Sequence, residues 1–142
     1  DDRVKKFVSL GAICDLNRFK YPQPALDHWK NEGVHYFENT RTKQMMPLFY
    51  QFYQNYIDNE ERLNIEKNIK YLDKPYLCIH GSADETVKMN EALLIKSWND
   101  KVELYLIENA NHAFGSAHPW NDTEMPEDFQ VAMDNALAFF RK

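Results

Sequence analysis

Glycine and cysteine are both scarce in this chain, which has four glycines and two cysteines among its 142 residues. Cys14 and Cys78 each lie among apolar neighbours, where a free thiol behaves as a small buried hydrophobic group. Long apolar runs are missing as well, since no window approaches the roughly eighteen uninterrupted apolar residues that a membrane span needs. The sequence therefore predicts buried thiols and no association with a membrane.

Positive charge is also in deficit, with 17 Lys and Arg residues against 22 Asp and Glu residues and a formal net charge of -5. The basic residues are scattered among the acids and are not gathered into a stripe. This pattern argues against a polyanion as the natural partner, so we expect no nucleic-acid ligand.

The chain begins with Asp1-Asp2-Arg3, without a methionine and without the features of a signal peptide. We expect that an upstream segment has been removed or lies outside this sequence. The residues present predict a cytoplasmic protein, and an export signal in that upstream segment is the alternative.

The remaining composition, 44% hydrophobic and 27% charged, is that of one soluble globular unit or part of one. Residues 75–80 form a near-continuous apolar run, which is typical of a strand buried on both faces of a parallel sheet. Four further elements are predicted: strands at 4–10 and 102–108, and helices at 87–98 and 127–141. Strands that alternate with helices indicate an α/β fold with a parallel sheet.

The pattern between the first two strands is weaker. Four elements are expected there: a loop at 15–24, helical turns at 26–32, a loop or short hairpin at 35–46, and a helix at 61–71. Aromatic residues with helical spacing predict another helix at 47–59, with Pro47 in its first turn. Such a stripe is typical of a core, and part of it would face substrate if this segment formed a lid.

Three strands are too few for a sheet of this kind, because a parallel strand that is apolar throughout needs a neighbour on each side and helices over both faces. We therefore expect two or more strands to be missing from the chain. A truncated sheet exposes an edge and an apolar face, so we also expect the isolated chain to self-associate.

Two loops, at 79–87 and 108–115, follow the second and third predicted strands. Loops at the carboxyl ends of parallel strands converge on one edge of the sheet, where ligands and catalytic groups gather. Asp84 and His112 lie in these loops. A histidine that acts as a general base needs a carboxylate to orient it and to stabilise the imidazolium, so the two residues form a candidate acid–histidine pair.

The sequence of both loops, with the strands before them, resembles a known family. Residues 75–87 read Pro-Tyr-Leu-Cys-Ile-His-Gly-Ser-Ala-Asp-Glu-Thr-Val, and residues 102–115 read Val-Glu-Leu-Tyr-Leu-Ile-Glu-Asn-Ala-Asn-His-Ala-Phe-Gly. They are similar to the acid and histidine strands of the α/β-hydrolase superfamily, in the branch of dienelactone hydrolases, prolyl-oligopeptidase-type peptidases and related esterases. The similarity is close over 75–115 and covers 4–142 in outline.

This resemblance implies the C-terminal part of an α/β-hydrolase fold, with about three parallel strands, flanking helices and a helical cap insertion. It implies that Asp84 is the acid of a catalytic triad and that His112 is its base. Residues 4–11 would be the strand just after the nucleophile-bearing helix. Residues 15–71 would then form the cap, and residues 72–142 the acid and histidine strands with the final helix.

The chain departs from the family at the nucleophile. A nucleophile elbow needs Gly-x-Ser-x-Gly or a close variant on a strained turn between a strand and a helix. None of the glycines flanks a serine or a cysteine at that spacing; they are Gly11, Gly33, Gly81 and Gly115. The oxyanion hole depends on the same turn, so we expect it to be absent too and the chain alone to be inactive.

Each candidate residue has an alternative role. Asp84 is otherwise a turn carboxylate that caps a helix beginning near residue 86 or 87, and Glu85 is the nearest rival for the acid. His112 is otherwise an ordinary loop histidine. His80 is expected to be structural, because it ends a buried strand, and His118 to pack its loop or line the pocket. A metal site built from His80, Asp84, His112 and His118 matches no known ligand spacing, so we expect no metal.

The function predicted for the full protein is hydrolysis of a carboxylic ester or amide by a serine nucleophile from the missing N-terminal part of the same domain. The expected substrate is a small ester or a peptide, and the reaction requires no cofactor. The alternative is a non-catalytic binding module that retains the hydrolase fold without the nucleophile.

Overall fold

The structure is a computed structural model that describes residues 2–17, 20–39 and 42–142. Residues 18 and 19 of the expected loop at 15–24, and residues 40 and 41 of the segment expected as a loop or hairpin, lie outside this description. The elements in chain order are β1 (Phe7–Leu10), α1 (Gln23–Glu32), β2 (Val34–Glu38), β3 (Met45–Phe49), α2 (Tyr50–Asp58), α3 (Ile65–Lys70), β4 (Tyr76–Gly81), α4 (Met89–Trp98), β5 (Val102–Ile107) and α5 (Glu127–Arg141).

Two compact units make up the chain. Asp1–Cys14 and Ile65–Lys142 form the larger unit, and Asp15–Asn64 forms the smaller one. The segment expected as a cap, residues 15–71, spans the smaller unit together with α3. Its role as a cap stays a prediction.

The larger unit is built on a three-stranded parallel sheet with strand order β1-β4-β5. All six residues of the central strand β4 are buried, as its apolar run predicts. The register pairs Leu10 with Ile79 and Gly81 with Ile107, so the three strands end near one another. The α/β class and the parallel sheet predicted from the sequence are confirmed.

Alternate side chains of β4 enter two separate cores, because successive residues of a strand point to opposite faces. Leu77 and Ile79 pack in one cluster with residues of α5, and Tyr76 and Cys78 pack in the other. The second cluster also includes Ile95 of α4. Helices therefore cover both faces of the sheet, which explains why β4 carries no polar face.

Among the described residues, no helix is long and apolar enough to cross a membrane.

The smaller unit combines α1 and α2 with an antiparallel hairpin of β2 and β3. Trp29 is its centre, with only 4% of its surface exposed and its indole N–H donated to the carbonyl of Leu48 at 2.9 Å. Four other rings surround the indole: Tyr21, His35, Tyr50 and Tyr53. The aromatic stripe is therefore partly a core, as expected, although Phe49 and Phe52 remain exposed.

The helix predicted at 47–59 is wrong at its N-terminal end. Pro47 lies in β3 opposite Tyr36, and the helix begins only at Tyr50. Both strands of a two-stranded sheet are edge strands, where a proline without an N–H group is tolerated. For residues 35–46 the sequence leaves a loop or a short hairpin open, and the antiparallel pairing of β2 with β3 shows the hairpin.

Other boundaries differ by smaller amounts. The strand predicted at 4–10 is restricted to β1, and the helix predicted at 61–71 to α3. Helix α1 begins at Gln23, earlier than expected, because Pro24 sits in its first turn, where the missing N–H has no helical partner to lose. Helix α5 has the predicted bounds.

The second cluster makes stability depend on α4. Ile95 is 1% exposed, whereas its neighbour Leu94 is 46% exposed. We expect Ile95→Ala to lower the free energy of unfolding by about 2–5 kcal/mol through lost burial and a residual cavity. Leu94→Ala, the matched control on the same helix, is expected to change it by less than about 1 kcal/mol. Urea denaturation measures both, and equal losses would contradict this account of the core.

Candidate active site

The loops after β4 and β5 are joined to each other through their backbones. Ser82 donates its N–H to the carbonyl of Ile107 at 2.9 Å, and Ala83 donates its N–H to the carbonyl of Ala110 at 3.0 Å. The hydroxyl of Ser82 accepts the N–H of Asn109 at 2.8 Å. These bonds continue the pairing of the two strands past their ends and bring the predicted acid loop against the predicted histidine loop.

Gly81 is required for this close approach. A Cβ atom built at this position would lie 2.2 Å from the carbonyl oxygen of Ala110, well inside any real contact. Only glycine therefore lets the end of β4 pass so near the loop that carries His112.

Asp84 and His112 form a direct hydrogen bond, with Nδ1 of His112 2.8 Å from Oδ2 of Asp84. The Asp84 side chain is fully buried, while 43% of the His112 side chain is exposed. Because a carboxylate accepts and does not donate, Nδ1 carries the proton, and in the neutral imidazole Nε2 then presents its lone pair. The predicted acid and base are thus in contact, with the basic nitrogen on a ring open to solvent.

The second carboxylate oxygen of Asp84 holds its own loop. Oδ1 accepts the N–H of Thr86 at 2.9 Å and the N–H of Val87 at 2.8 Å. Helix α4 begins later, at Met89, with Lys88 as its N-cap and no side-chain cap. Asp84 therefore stabilises the turn before α4 and does not cap the helix, which corrects the alternative considered for it.

The environment of Asp84 lowers its pKa. Burial is the largest single influence and acts to raise the pKa, since it disfavours the charged form. The hydrogen bonds from the Val87 N–H, from His112 and from the Thr86 N–H, together with the charge interaction with His112, lower the pKa and outweigh burial. The carboxylate is therefore ionised and able to stabilise positive charge on His112.

The loop that carries His112 has an unusual backbone. Asn109 and Phe114 have φ angles of 59° and 51°, in the left-handed region that side chains other than glycine rarely adopt. Phe114 is only 3% exposed and packs in the first cluster, and the side chain of Asn111 accepts the N–H groups of Ala113 and Gly115. Packing and hydrogen bonds therefore fix a strained loop.

Gly11, the residue after β1, forms the wall behind the pair. Its φ is +59°, and an added Cβ atom would lie 3.1 Å from Nδ1 of His112 and 3.5 Å from Oδ2 of Asp84. From the sequence, Gly11 is predicted only as the end of a strand. A glycine directly after a strand that ends at the same sheet edge is the signal that would have identified it.

The remaining sequence candidates lie outside the pair. Neither Glu85 nor His118 takes part in the hydrogen bond between Asp84 and His112, and both are exposed. Residues 117–120, which were expected to pack their loop or line the pocket, are exposed as well. Within the described ranges, no group of three or more His, Cys, Asp or Glu side chains is arranged so that it could hold a metal ion.

Solved structures with a similar fold are hydrolases. The monoacylglycerol lipase of Paleococcus ferrophilus matches 96% of this chain with 16% identity and a TM-score of 0.59. Est1E from Butyrivibrio proteoclasticus matches 99% with 16% identity and a TM-score of 0.57, and the esterase domain of a Rhodothermus marinus protein matches 95% with 18% identity and a TM-score of 0.55. This chain has an α/β-hydrolase fold.

The chain spans only about half of the length of these hydrolases, 59%, 53% and 51% respectively. No model of a protein family matches the sequence, and no curated protein matches it either. With identities this low, the similarity establishes the fold, and the chemistry has to be argued from the residues of the site.

Replacing Asp84 tests the energetic role of the carboxylate. The pKa of Asp84 in the folded chain lies below the ordinary pKa of an aspartate. Asp84 therefore stabilises the folded state at pH values above that ordinary pKa, and this contribution is lost as the pH falls through the lowered pKa. We expect Asp84→Asn to lower the free energy of unfolding by about 1–3 kcal/mol at neutral pH, and the difference from wild type to shrink as the pH falls below about 4.

Denaturation of both proteins between neutral and acidic pH measures this difference. Asp134→Asn is the control, since Asp134 is an exposed helical carboxylate that accepts the side-chain amide of Gln130, and a change below about 0.5 kcal/mol is expected. A difference for Asp84→Asn that stays constant with pH would contradict the role of its charge.

Two glycines with similar backbones provide a matched test of the wall behind His112. Gly11 and Gly33 have φ angles of +59° and +73°, but an added Cβ at Gly33 would meet nothing within 4 Å. Both alanine variants incur about 1 kcal/mol of backbone strain. We expect only Gly11→Ala to shift the ring resonances of His112 in NMR spectra, because only there does the methyl group press on the imidazole; equal shifts in both variants would contradict this.

Proposed function

We propose that this chain supplies the acid and the general base of a serine hydrolase that cleaves carboxylic ester or amide bonds. The observation that carries the proposal is the 2.8 Å hydrogen bond between buried Asp84 and half-exposed His112 at the carboxyl end of a parallel sheet. The similar structures of an esterase domain and a monoacylglycerol lipase support hydrolysis as the class of reaction.

In the proposed reaction, Nε2 of His112 takes the proton of a serine hydroxyl as its oxygen attacks the substrate carbonyl. Asp84 keeps the proton of the ring on Nδ1 and stabilises the imidazolium that forms. His112 then donates the proton to the leaving group, and a water molecule, activated by the same nitrogen, releases the acid product. Among the described residues, none forms a hydrogen bond with Nε2 of His112, so this nitrogen is available for both transfers.

The nucleophile and the oxyanion hole are proposed to come from a part of the same domain outside these 142 residues. The sequence has no Gly-x-Ser-x-Gly, and the chain spans about half of the hydrolases that it resembles in fold. The partner of this chain is then the segment that carries the nucleophile strand, and the substrate is a small ester or a peptide. The isolated chain is expected to have no hydrolase activity.

Fluorophosphonate labelling tests the proposal, because this probe reacts with activated serine nucleophiles. We expect no labelling of the 142-residue chain and rapid labelling of the polypeptide extended to its natural start. In the extended protein, His112→Ala and Asp84→Asn are each expected to slow labelling at least about 100-fold, since the base is lost or misoriented.

The control is His118→Ala, which removes an exposed histidine outside the pair and is expected to leave the labelling rate unchanged. If the extended protein is not labelled at all, the chain belongs to a non-catalytic binding module. Ester turnover by the 142-residue chain alone would contradict the proposed location of the nucleophile.

A further inference from the structure

A second histidine lies behind the candidate pair. His80 is the penultimate residue of β4, and its side chain is fully buried. Its Nε2 lies 2.9 Å from the carbonyl oxygen of Val87 and 3.5 Å from Oδ2 of Asp84. This is the same carboxylate oxygen that accepts the proton of His112. The Asp84 carboxylate is therefore flanked by two imidazole rings, one buried and one open to solvent.

Val87 connects the buried ring to the carboxylate. Its N–H donates to Oδ1 of Asp84 at 2.8 Å, and its carbonyl faces Nε2 of His80. The peptide groups on both sides of Val87 are thus fixed, one by the acid and the other by the histidine. Since Val87 is only 3% exposed, water does not replace either bond readily.

The geometry determines which nitrogen of His80 carries the proton. A carbonyl oxygen only accepts, so Nε2 must donate to Val87. Nδ1 is buried and has no hydrogen-bond partner within the described part of the chain. A proton on Nδ1 would leave a buried donor unsatisfied. An unpaired lone pair on Nδ1 costs less free energy. An apolar side chain at this position would leave no unsatisfied nitrogen. The presence of a histidine therefore points to a role for the N–H donor at Nε2.

We propose that His80 is a positioning residue for the proposed reaction: its Nε2–H holds the turn from Asp84 to Val87 so that Oδ2 of Asp84 faces His112. The inference rests on the proposed function of the Asp84–His112 pair. An apolar side chain in the place of His80 would pack against the turn without fixing the direction of the carboxylate.

The proton position on His112 is the readout, since it depends on the direction of Asp84 and requires no catalysis. In the 142-residue chain with ¹⁵N-labelled histidine, ring nitrogen shifts at about pH 8 report which nitrogen of a neutral imidazole is protonated. We expect His112 to carry its proton on Nδ1. In His80→Leu we expect this population to fall towards that of an unrestrained imidazole.

His80→Gln is the conservative variant, because its side-chain amide can place an N–H donor near the position of Nε2. We expect it to retain the Nδ1–H form of His112. Ile79→Val, at the neighbouring and equally buried position of β4, controls for a loss of core packing and is expected to retain it as well. An unchanged His112 in His80→Leu, or equal losses in the leucine and glutamine variants, would overturn the proposal.

The unmutated chain offers a second measurement that decides the matter if His80→Leu does not fold. The same spectrum reports the proton position of His80, which we expect on Nε2. A proton on Nδ1 instead would leave nothing to donate to Val87 and would overturn the proposal. Failure of fluorophosphonate labelling in the extended protein would reject the hydrolase function, while these proton positions would still show whether His80 fixes the direction of Asp84.

Discussion

The hydrogen bonds of the Asp84 carboxylate are the interactions on which the site depends. One oxygen accepts two backbone N–H groups of its own turn, and the other accepts the ring N–H of His112. A carboxylate buried without such partners would be strongly unfavourable, and would neutralise instead of staying charged. The same bonds that make the buried charge tolerable therefore also fix the direction in which it faces.

The sheet makes this arrangement possible. Parallel pairing of β1, β4 and β5 brings three loops to one edge, and each of the three contributes to the pair. The loop after β4 carries Asp84, the loop after β5 carries His112, and Gly11 after β1 leaves room for the imidazole. Gly81 allows the first two loops to touch. Two of the four glycines in the chain are thus used at the site, where any side chain would displace the pair.

Much of this site could be predicted from the sequence, because its signals are local. The apolar run of β4 identifies a strand buried on both faces, Asp84 follows this strand by a few residues, and His112 follows the next predicted strand by a few residues. Parallel strands bring their ends together, so the pattern favours a contact between the two side chains.

Other features depend on contacts that no local pattern contains. The sequence predicts Pro47 in the first turn of a helix, but its pairing with Tyr36 places it in a strand. The left-handed conformation of Phe114 depends on the burial of its ring in the first cluster and on the hydrogen bonds of Asn111 to the same loop. The role of Gly11 likewise appears only when three segments distant in sequence are folded together, and the bond from His80 to Val87 depends on how the turn between them folds back. Tertiary packing overrides local preference at each of these positions.

The most direct test of the central claim is to identify the residue that a fluorophosphonate modifies in the natural polypeptide, by peptide mapping and mass spectrometry. The account predicts a single adduct on a serine that lies outside these 142 residues, between two glycines in a Gly-x-Ser-x-Gly sequence. An adduct on Ser9, Ser82, Ser97 or Ser116 of this chain, or no adduct in the natural polypeptide, would contradict it.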